Sequence, residues 1–172
     1  LDKFLCEHSR LYERLRSRYY NYKLKLGREG IKPEGEMAEE ITAEAVDQYR
    51  LTARMFVGLA RNIGAVPILM TQARLVSPDN TEEEKARIGY DMVLLTPPAL
   101  NRAFTVADRV LREVAREKDV PFIDAASSFA GKGEYFHDHV HLNPDGSDRI
   151  ARLVARDLSR ILRKDNENSP AE

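Results

Sequence analysis

The sequence predicts an α/β fold with a parallel sheet. Segments in which apolar residues recur every three or four positions alternate along the chain with two short apolar runs, Val66–Met70 and Val120–Ile123. Short apolar runs of this kind are typical of strands that are buried on both faces in parallel sheets. Both runs share a hydrophobic–Pro–hydrophobic design, and a proline is tolerated near the start of a strand. The order helix, strand, helix, strand, helix therefore favours an α/β architecture.

Apolar stripes define the helices before and between these strands. The spacing predicts a helix over 37–62, which Gly64 ends, and another over 100–115. Residues 73–98 are polar and contain several prolines, so we interpret them as a long excursion with one helical turn over 82–88. Excursions of this length in compact domains often cover a functional site.

Composition and spacing divide the chain into three regions. Residues 1–36 are predicted to form a leading helix and loop, an insertion or cap, because helical spacing of apolar side chains is followed by glycines and a proline. Residues 37–163 contain both predicted strands and the main helices, and we expect them to form one domain. The polar residues 164–172 are predicted to be a disordered tail.

The overall composition excludes several classes of partner. The 172 residues are enough for one domain with a single core. The formal net charge of −1 gives no electrostatic reason to expect nucleic acid or an anionic membrane as a partner. No apolar run approaches the roughly 20 residues that span a bilayer. We also expect no cofactor and no metal. Cys6 is the only cysteine, so no disulfide can form within the chain.

A histidine-rich segment carries the strongest chemical signal. Three of the four histidines lie within residues 137–141, and Asp138 stands three positions before His141. Asn143 is a good helix N-cap and Pro144 suits the first helical position, so this segment is predicted to be a loop that turns into the last helix. In such a loop the Asp138 carboxylate can reach Nδ1 of His141. That contact would fix the tautomer and leave Nε2 free to take a proton from a nucleophile.

The segment Asp138–Gly146, followed by a helix patterned with Ala and Leu, resembles the Asp-x-x-His block of the SGNH/GDSL hydrolases. The helix before it and the strand that ends in Ile123 also match, so that the resemblance covers roughly residues 37–163. It implies a flavodoxin-like three-layer α/β/α fold that hydrolyses esters of lipids, sugars or small molecules with a serine nucleophile. It also implies that His141 is the general base and Asp138 its orienting partner.

The chain departs from the family in its other motifs. No Gly-Asp-Ser and no Gly-x-Asn-Asp occurs, and in the family these segments precede the part that this chain resembles. Asp145–Ser147 has the residue types of the first motif in another order, but Ser147 is more typical of a residue at a helix start. Two short strands are also too few for a stable α/β sheet. We therefore expect a C-terminal portion of the fold, inactive alone, with the nucleophilic serine upstream of Leu1.

Three further residues are weaker candidates. Gln72 and Arg74 follow the carboxyl end of the first strand, where α/β sheets place their ligands, and are candidates for substrate contact. Asp124 ends the second strand and is expected to anchor a loop by accepting backbone hydrogen bonds.

Two alternatives come from other functional classes. His137, His139 and His141 would face one side of an extended strand and could hold zinc or iron. The backbone conformation of this segment distinguishes the metal site from the hydrolase. A strand favours the metal site, whereas a loop with the Asp138 carboxylate beside the His141 ring favours the hydrolase. The second alternative is a non-catalytic binding module that keeps the fold and lacks the chemistry.

Overall fold

The computed structural model describes residues 35–168, with side chains up to residue 163, and in addition Tyr12, Leu15, Arg18 and Tyr19, which are helical. The predicted leading helix and loop therefore lie almost entirely outside the described residues. By its internal contacts the chain divides into two compact units, Leu1–Glu36 and Met37–Glu172. None of the helices among the described residues is long and apolar enough to span a bilayer.

Helices dominate the second unit, and a small parallel sheet lies among them. The short segment Gly133–Tyr135 forms a 3₁₀ helix. The elements in chain order are α1 (Ala43–Asn62), β1 (Leu69–Met70), α2 (Glu82–Ala86), α3 (Tyr90–Val93), α4 (Pro97–Glu117), β2 (Phe122–Ile123), α5 (Ala126–Phe129) and α6 (Pro144–Asn168).

The predicted parallel pairing of the two strands is confirmed. Leu69 lies opposite Phe122, and Met70 lies opposite Ile123. The Leu69 N–H donates to the Pro121 carbonyl at 3.0 Å, and one residue beyond β1 the ladder continues. Both strands are shorter than the predicted runs. Neither Pro67 nor Pro121 has an N–H to donate, so the paired segments start later than the predicted runs.

Two apolar clusters pack against opposite faces of the sheet, because successive side chains in a strand point to opposite sides. Leu69 and Phe122 belong to the cluster formed with α1 and α4. Ile123 belongs to the other, which includes Leu153 of α6 and residues of the segment 125–136. The sheet is thus covered by helices on both faces, as the α/β prediction requires.

The main helices differ from the predictions at their ends. Helix α1 begins after Thr42, whose hydroxyl accepts the Ala45 N–H at 3.1 Å, rather than at residue 37. Helix α4 begins at Pro97 rather than at residue 100, because prolines are compatible with the first helical turn. Helix α6 continues to Asn168, so it includes the first five residues of the predicted tail, which begins at residue 164.

The predicted excursion is packed more closely than its polar composition indicates. It contains α2, whose N-terminus is closed by a capping box of Thr81 and Glu84, and also the short helix α3. Leu75, Val76 and Ile88 are buried in the core on the α6 side of the sheet. The excursion therefore contributes core residues as well as surface.

Candidate active site

The histidine-rich segment is a closed loop. Bends occupy residues 137–140, and an isolated antiparallel bridge joins Phe136 to Leu142 at the base of the loop. The His137 N–H donates to the His141 carbonyl at 2.8 Å. These contacts bring the two ends of the loop together, so that Asp138 and His141 face each other across a short turn.

The start of α6 holds the far end of this loop in place. The Asn143 side chain accepts the Gly146 N–H at 2.9 Å and donates to the Glu134 carbonyl at 2.6 Å. A Cβ atom on Gly146 would lie 2.3 Å from the Tyr135 carbonyl oxygen, so only glycine fits this close approach. The Ser147 N–H bonds to the Asn143 carbonyl, which places Ser147 in the first turn of the helix, as the sequence predicts.

The Asp138 carboxylate makes the contact with His141 that the spacing predicts. Its Oδ2 lies 2.7 Å from Nδ1 of His141. Its Oδ1 accepts the backbone N–H groups of Val140 and His141, both at 2.9 Å. We assign the ring proton to Nδ1 because its neighbour is a carboxylate. The His141 side chain is 76% exposed, and its Nε2 is left as an unprotonated acceptor.

Hydrogen bonding keeps Asp138 ionised. Partial burial raises the pKa of this carboxyl, but bonds from the Val140 and His141 backbone and from the His141 ring outweigh burial and lower the pKa to about 2. A carboxylate that stays charged at neutral pH holds Nδ1–H in place and stabilises positive charge on the ring.

The stabilising effect of this carboxylate should disappear in acid. Because the pKa of Asp138 is lowered from its ordinary 3.8 to about 2, its contribution is complete above about pH 4 and is lost as the pH falls toward 2. The contribution should stay below about 1 kcal/mol, because solvent screens a carboxylate that is 41% exposed. Urea unfolding of wild type and Asp138→Asn at several pH values measures it. A difference that stays constant down to pH 2 would contradict this assignment.

The loop is fastened to the segment that follows β1. The Leu75 N–H donates to the His139 carbonyl at 2.9 Å, and the Leu75 carbonyl accepts the Gly131 N–H at 3.1 Å. The histidine loop is therefore held beside the chain that leaves the carboxyl end of β1. The ring of His139 is largely buried beside Gly89 and has a packing role.

The conformation of the loop distinguishes the hydrolase from the metal site. Residues 137–140 form bends rather than a strand, and the Asp138 carboxylate lies beside the His141 ring. Within residues 35–168, no three His, Cys, Asp or Glu side chains converge on a point where they could hold a metal ion. The backbone conformation and the position of the carboxylate are thus those that the spacing of Asp138 and His141 predicts for a loop rather than for a strand.

Asp124 anchors the turn after β2, as predicted. Its carboxylate accepts the Ser127 N–H at 3.1 Å and the Ser127 hydroxyl at 2.7 Å, and it also accepts from Thr71 and Arg112. Burial raises the pKa of Asp124, but these hydrogen bonds and the Arg112 charge together lower it. The fully buried Thr71 also accepts the Ala126 N–H at 2.8 Å, so it links the ends of both strands. Sequence reasoning missed Thr71, because a lone threonine after a strand gives no signal of its partner.

The other two candidate residues have different surroundings. Gln72 is exposed to solvent just beyond β1. Arg74 is buried, forms an ion pair with Asp108 at 2.7 Å and lies over the Phe104 ring. Its guanidinium is therefore engaged in holding α4 against the end of β1, which the polar sequence context did not reveal. Within the described part of the chain, neither Gln72 nor Arg74 hydrogen-bonds to the Asp138–His141 pair.

The Asp138–His141 pair leaves Nε2 of the ring free of protein contacts among the described residues. Among residues 35–168, no serine, threonine or cysteine side chain hydrogen-bonds to Nε2 of His141. The arrangement can accept a proton at Nε2 and stabilise the resulting imidazolium.

Comparison with solved structures finds a similar fold. A crystal structure described as a "putative acylhydrolase" from Bacteroides fragilis NCTC 9343 superposes with a TM-score of 0.53 at 20% sequence identity. The match covers 68% of this chain and 53% of that protein, so this chain spans about half of its length. No family model matches the sequence, and no curated protein matches it.

Proposed function

We propose that this chain provides the His–Asp part of the active site of a serine ester hydrolase of the SGNH/GDSL type. In this proposal His141 is the general base and Asp138 orients it. The complete fold would be a flavodoxin-like three-layer sandwich, to which this chain contributes β1, β2 and helices on both faces of the sheet. Fold similarity to the acylhydrolase structure supports this proposal.

The contact between Asp138 Oδ2 and His141 Nδ1 at 2.7 Å is the observation that carries the proposal. A free imidazole exchanges between two tautomers and rotates, whereas a carboxylate at Nδ1 holds the ring with Nε2 as the base. The exposure of the ring supports the same role, because a base has to be reachable by both the nucleophile and the substrate.

The chemistry follows the usual order of acyl transfer. A serine hydroxyl, expected on polypeptide upstream of Leu1, loses its proton to Nε2 of His141 and attacks the ester carbonyl. The imidazolium that forms is stabilised by the Asp138 carboxylate and then gives its proton to the departing alcohol. Departure of the alcohol leaves the acyl group as an ester on the serine, and water activated by the same base hydrolyses that ester to the acid and the free serine. The substrate would be an ester of a small molecule, a carbohydrate or a lipid.

Substrate contacts are expected beyond the carboxyl end of β1. Gln72 is exposed there and is available to bind an ester or its alcohol group. Arg74 is a weaker candidate than its position in the sequence indicates, because Asp108 already pairs with its guanidinium.

Replacing Asp138 by asparagine tests the proposal. The chain together with the polypeptide encoded upstream of Leu1, here called the longer protein, should hydrolyse p-nitrophenyl acetate. Asp138→Asn should lower its kcat by about 10²–10⁴-fold, because an amide presents the wrong partner to Nδ1. Circular dichroism verifies folding.

Asp145→Asn is the matched control, because Asp145 is an exposed acid of the first turn of α6. Its rate should stay close to that of wild type. Equal rates for wild type and Asp138→Asn in folded proteins would remove Asp138 from the mechanism. Undetectable turnover by the longer protein with esters of all three substrate classes would favour the non-catalytic module.

A further inference from the structure

A cleft of about 330 Å³ opens where the excursion meets the start of α4. This volume is at the lower end of the roughly 300–1,000 Å³ that pockets for small ligands occupy. Prolines and a tyrosine ring supply apolar surface, and a lysine, an arginine and an asparagine supply polar groups. We call it the excursion cleft, and its lining includes Pro78, Lys85, Tyr90, Pro97, Asn101 and Arg102.

The charge of its lining distinguishes the excursion cleft from its neighbours. Among the described residues, Lys85 and Arg102 line it, and no aspartate or glutamate does. Two larger clefts of the chain contain arginines too, but three acids accompany them in one cleft and two acids in the other. Arginine-lined surface is therefore common in this protein, whereas a positive lining without acids is a particular property of the excursion cleft.

Both cations of the excursion cleft are available to a ligand. Arg102 is exposed, and its guanidinium donates to the Glu39 carbonyl rather than to a carboxylate. The Glu39 carboxylate accepts the Thr96 hydroxyl at 3.0 Å and does not line the cleft. Lys85 pairs with Glu82 at 2.7 Å, but the Glu82 side chain is 89% exposed. Ion pairs this exposed contribute little, because water competes for both partners, so an anion in the cleft can recruit Lys85 as well.

Two neutral side chains of the lining can also donate hydrogen bonds. The Asn101 amide and the Tyr90 hydroxyl are partly buried, and neither makes a hydrogen bond with the described part of the chain. Burial raises the pKa of Tyr90, and the nearby Lys85 charge opposes this only in part. The phenol therefore stays protonated at neutral pH and can donate. Polar groups withdrawn from water usually have a partner, so these two are suited to a ligand.

The excursion cleft lies beside the histidine loop. Val76 in its lining follows Leu75, whose N–H donates to the His139 carbonyl at 2.9 Å. Tyr90 follows Gly89, where a Cβ atom would lie 3.7 Å from Cε1 of the His139 ring. Two lining residues are thus each one position, about 3.8 Å along the chain, from a contact with this loop. A small ligand seated in the cleft would lie beside the loop that carries the proposed base.

We propose that the excursion cleft binds the carboxylate or phosphate group of a small ligand that has an apolar body. Lys85 and Arg102 neutralise the oxyanion. The Asn101 amide and the Tyr90 hydroxyl donate to it, while the prolines and the tyrosine ring contact the apolar body. The proposal rests on the proposed function in one respect, that this ligand is part of the ester substrate. The substrate would then be an ester that carries a negatively charged group.

NMR titration of the longer protein with benzoate, phenyl phosphate and benzyl alcohol tests the proposal. The anions should bind at least about tenfold more tightly than benzyl alcohol, which has a similar body and no charge. The double variant Lys85→Gln/Arg102→Gln should remove this difference. The more tightly bound of the two anions identifies the oxyanion as a carboxylate or a phosphate.

Arg160→Gln is the matched control, because Arg160 is a 67% exposed arginine of α6 that lies outside the cleft. It should leave the affinity for the anions within about twofold of wild type. Arg102→Lys should retain most of the binding because it keeps the charge, whereas a role for Arg102 in holding the Glu39 carbonyl alone predicts no such rescue. Circular dichroism verifies folding. Equal affinity of wild type for charged and neutral ligands, or unchanged affinity in the folded double variant, would overturn the proposal.

Hydrolysis of a charged ester tests the link to the substrate separately. The longer protein should hydrolyse mono-p-nitrophenyl succinate with a kcat/KM at least about tenfold above that for p-nitrophenyl acetate, and the double variant should lose this preference. Anion binding without such a preference would support the cleft as a ligand site and overturn its link to the ester. His141→Ala should abolish turnover and leave benzoate binding unchanged, so failure of the proposed function is distinguishable from failure of the cleft.

Discussion

His141→Ala should lower ester turnover by the longer protein by at least about a thousandfold. The substitution removes the ring whose Nδ1 lies 2.7 Å from the Asp138 carboxylate, and with it the group that is proposed to take the proton of the nucleophile. Steady-state hydrolysis of p-nitrophenyl acetate measures the effect. The loss should appear in kcat more than in KM, because the base acts in the transition state rather than in ground-state binding.

His137→Ala is the matched control for this experiment. His137 is an exposed histidine of the same loop, and its backbone N–H rather than its ring bonds to the His141 carbonyl. Its substitution should leave kcat within about twofold of wild type. Equal turnover by folded wild type and His141→Ala would remove His141 from the mechanism, and with it the proposed function.

Phe129→Ala should destabilise the 172-residue chain by about 3–5 kcal/mol. Phe129 is the largest of the fully buried side chains among the described residues. Its ring makes edge-to-face contacts with Tyr135 at 5.8 Å and Phe136 at 6.2 Å. Truncation would leave a cavity under the segment that leads into the histidine loop, so the positioning of Asp138 should also suffer.

Urea unfolding followed by circular dichroism measures this change in the free energy of unfolding. Leu162→Ala, at an exposed position of α6, is the control and should change stability by less than about 0.5 kcal/mol. A loss below about 1 kcal/mol for Phe129→Ala would show that the core on the α6 side of the sheet is not packed as described.

Local sequence spacing was sufficient to predict the candidate site. Asp138 and His141 are three residues apart, and the backbone between them turns because Asn143 and Pro144 start a helix immediately afterwards. Contacts over such short separations depend on few dihedral angles, so they can be inferred without knowing the rest of the fold. The two parallel strands were predictable for a related reason, since their apolar runs alternate with helices of clear periodicity.

Burial and long-range pairing were decided only by tertiary structure. Arg74 looked available for substrate, but the fold places it in the core beside Asp108. Thr71 joins Asp124 across 53 positions of sequence, and neither residue type indicates such a partner. On helix α1, Ala53 and Val57 are buried whereas Leu51 and Leu59 are exposed, because hydrophobicity is a property of the residue whereas exposure depends on what packs against it. The sequence by itself thus determined the local geometry of the Asp138–His141 pair and the alternation of elements, while the fold decided which side chains are covered and which distant residues pair.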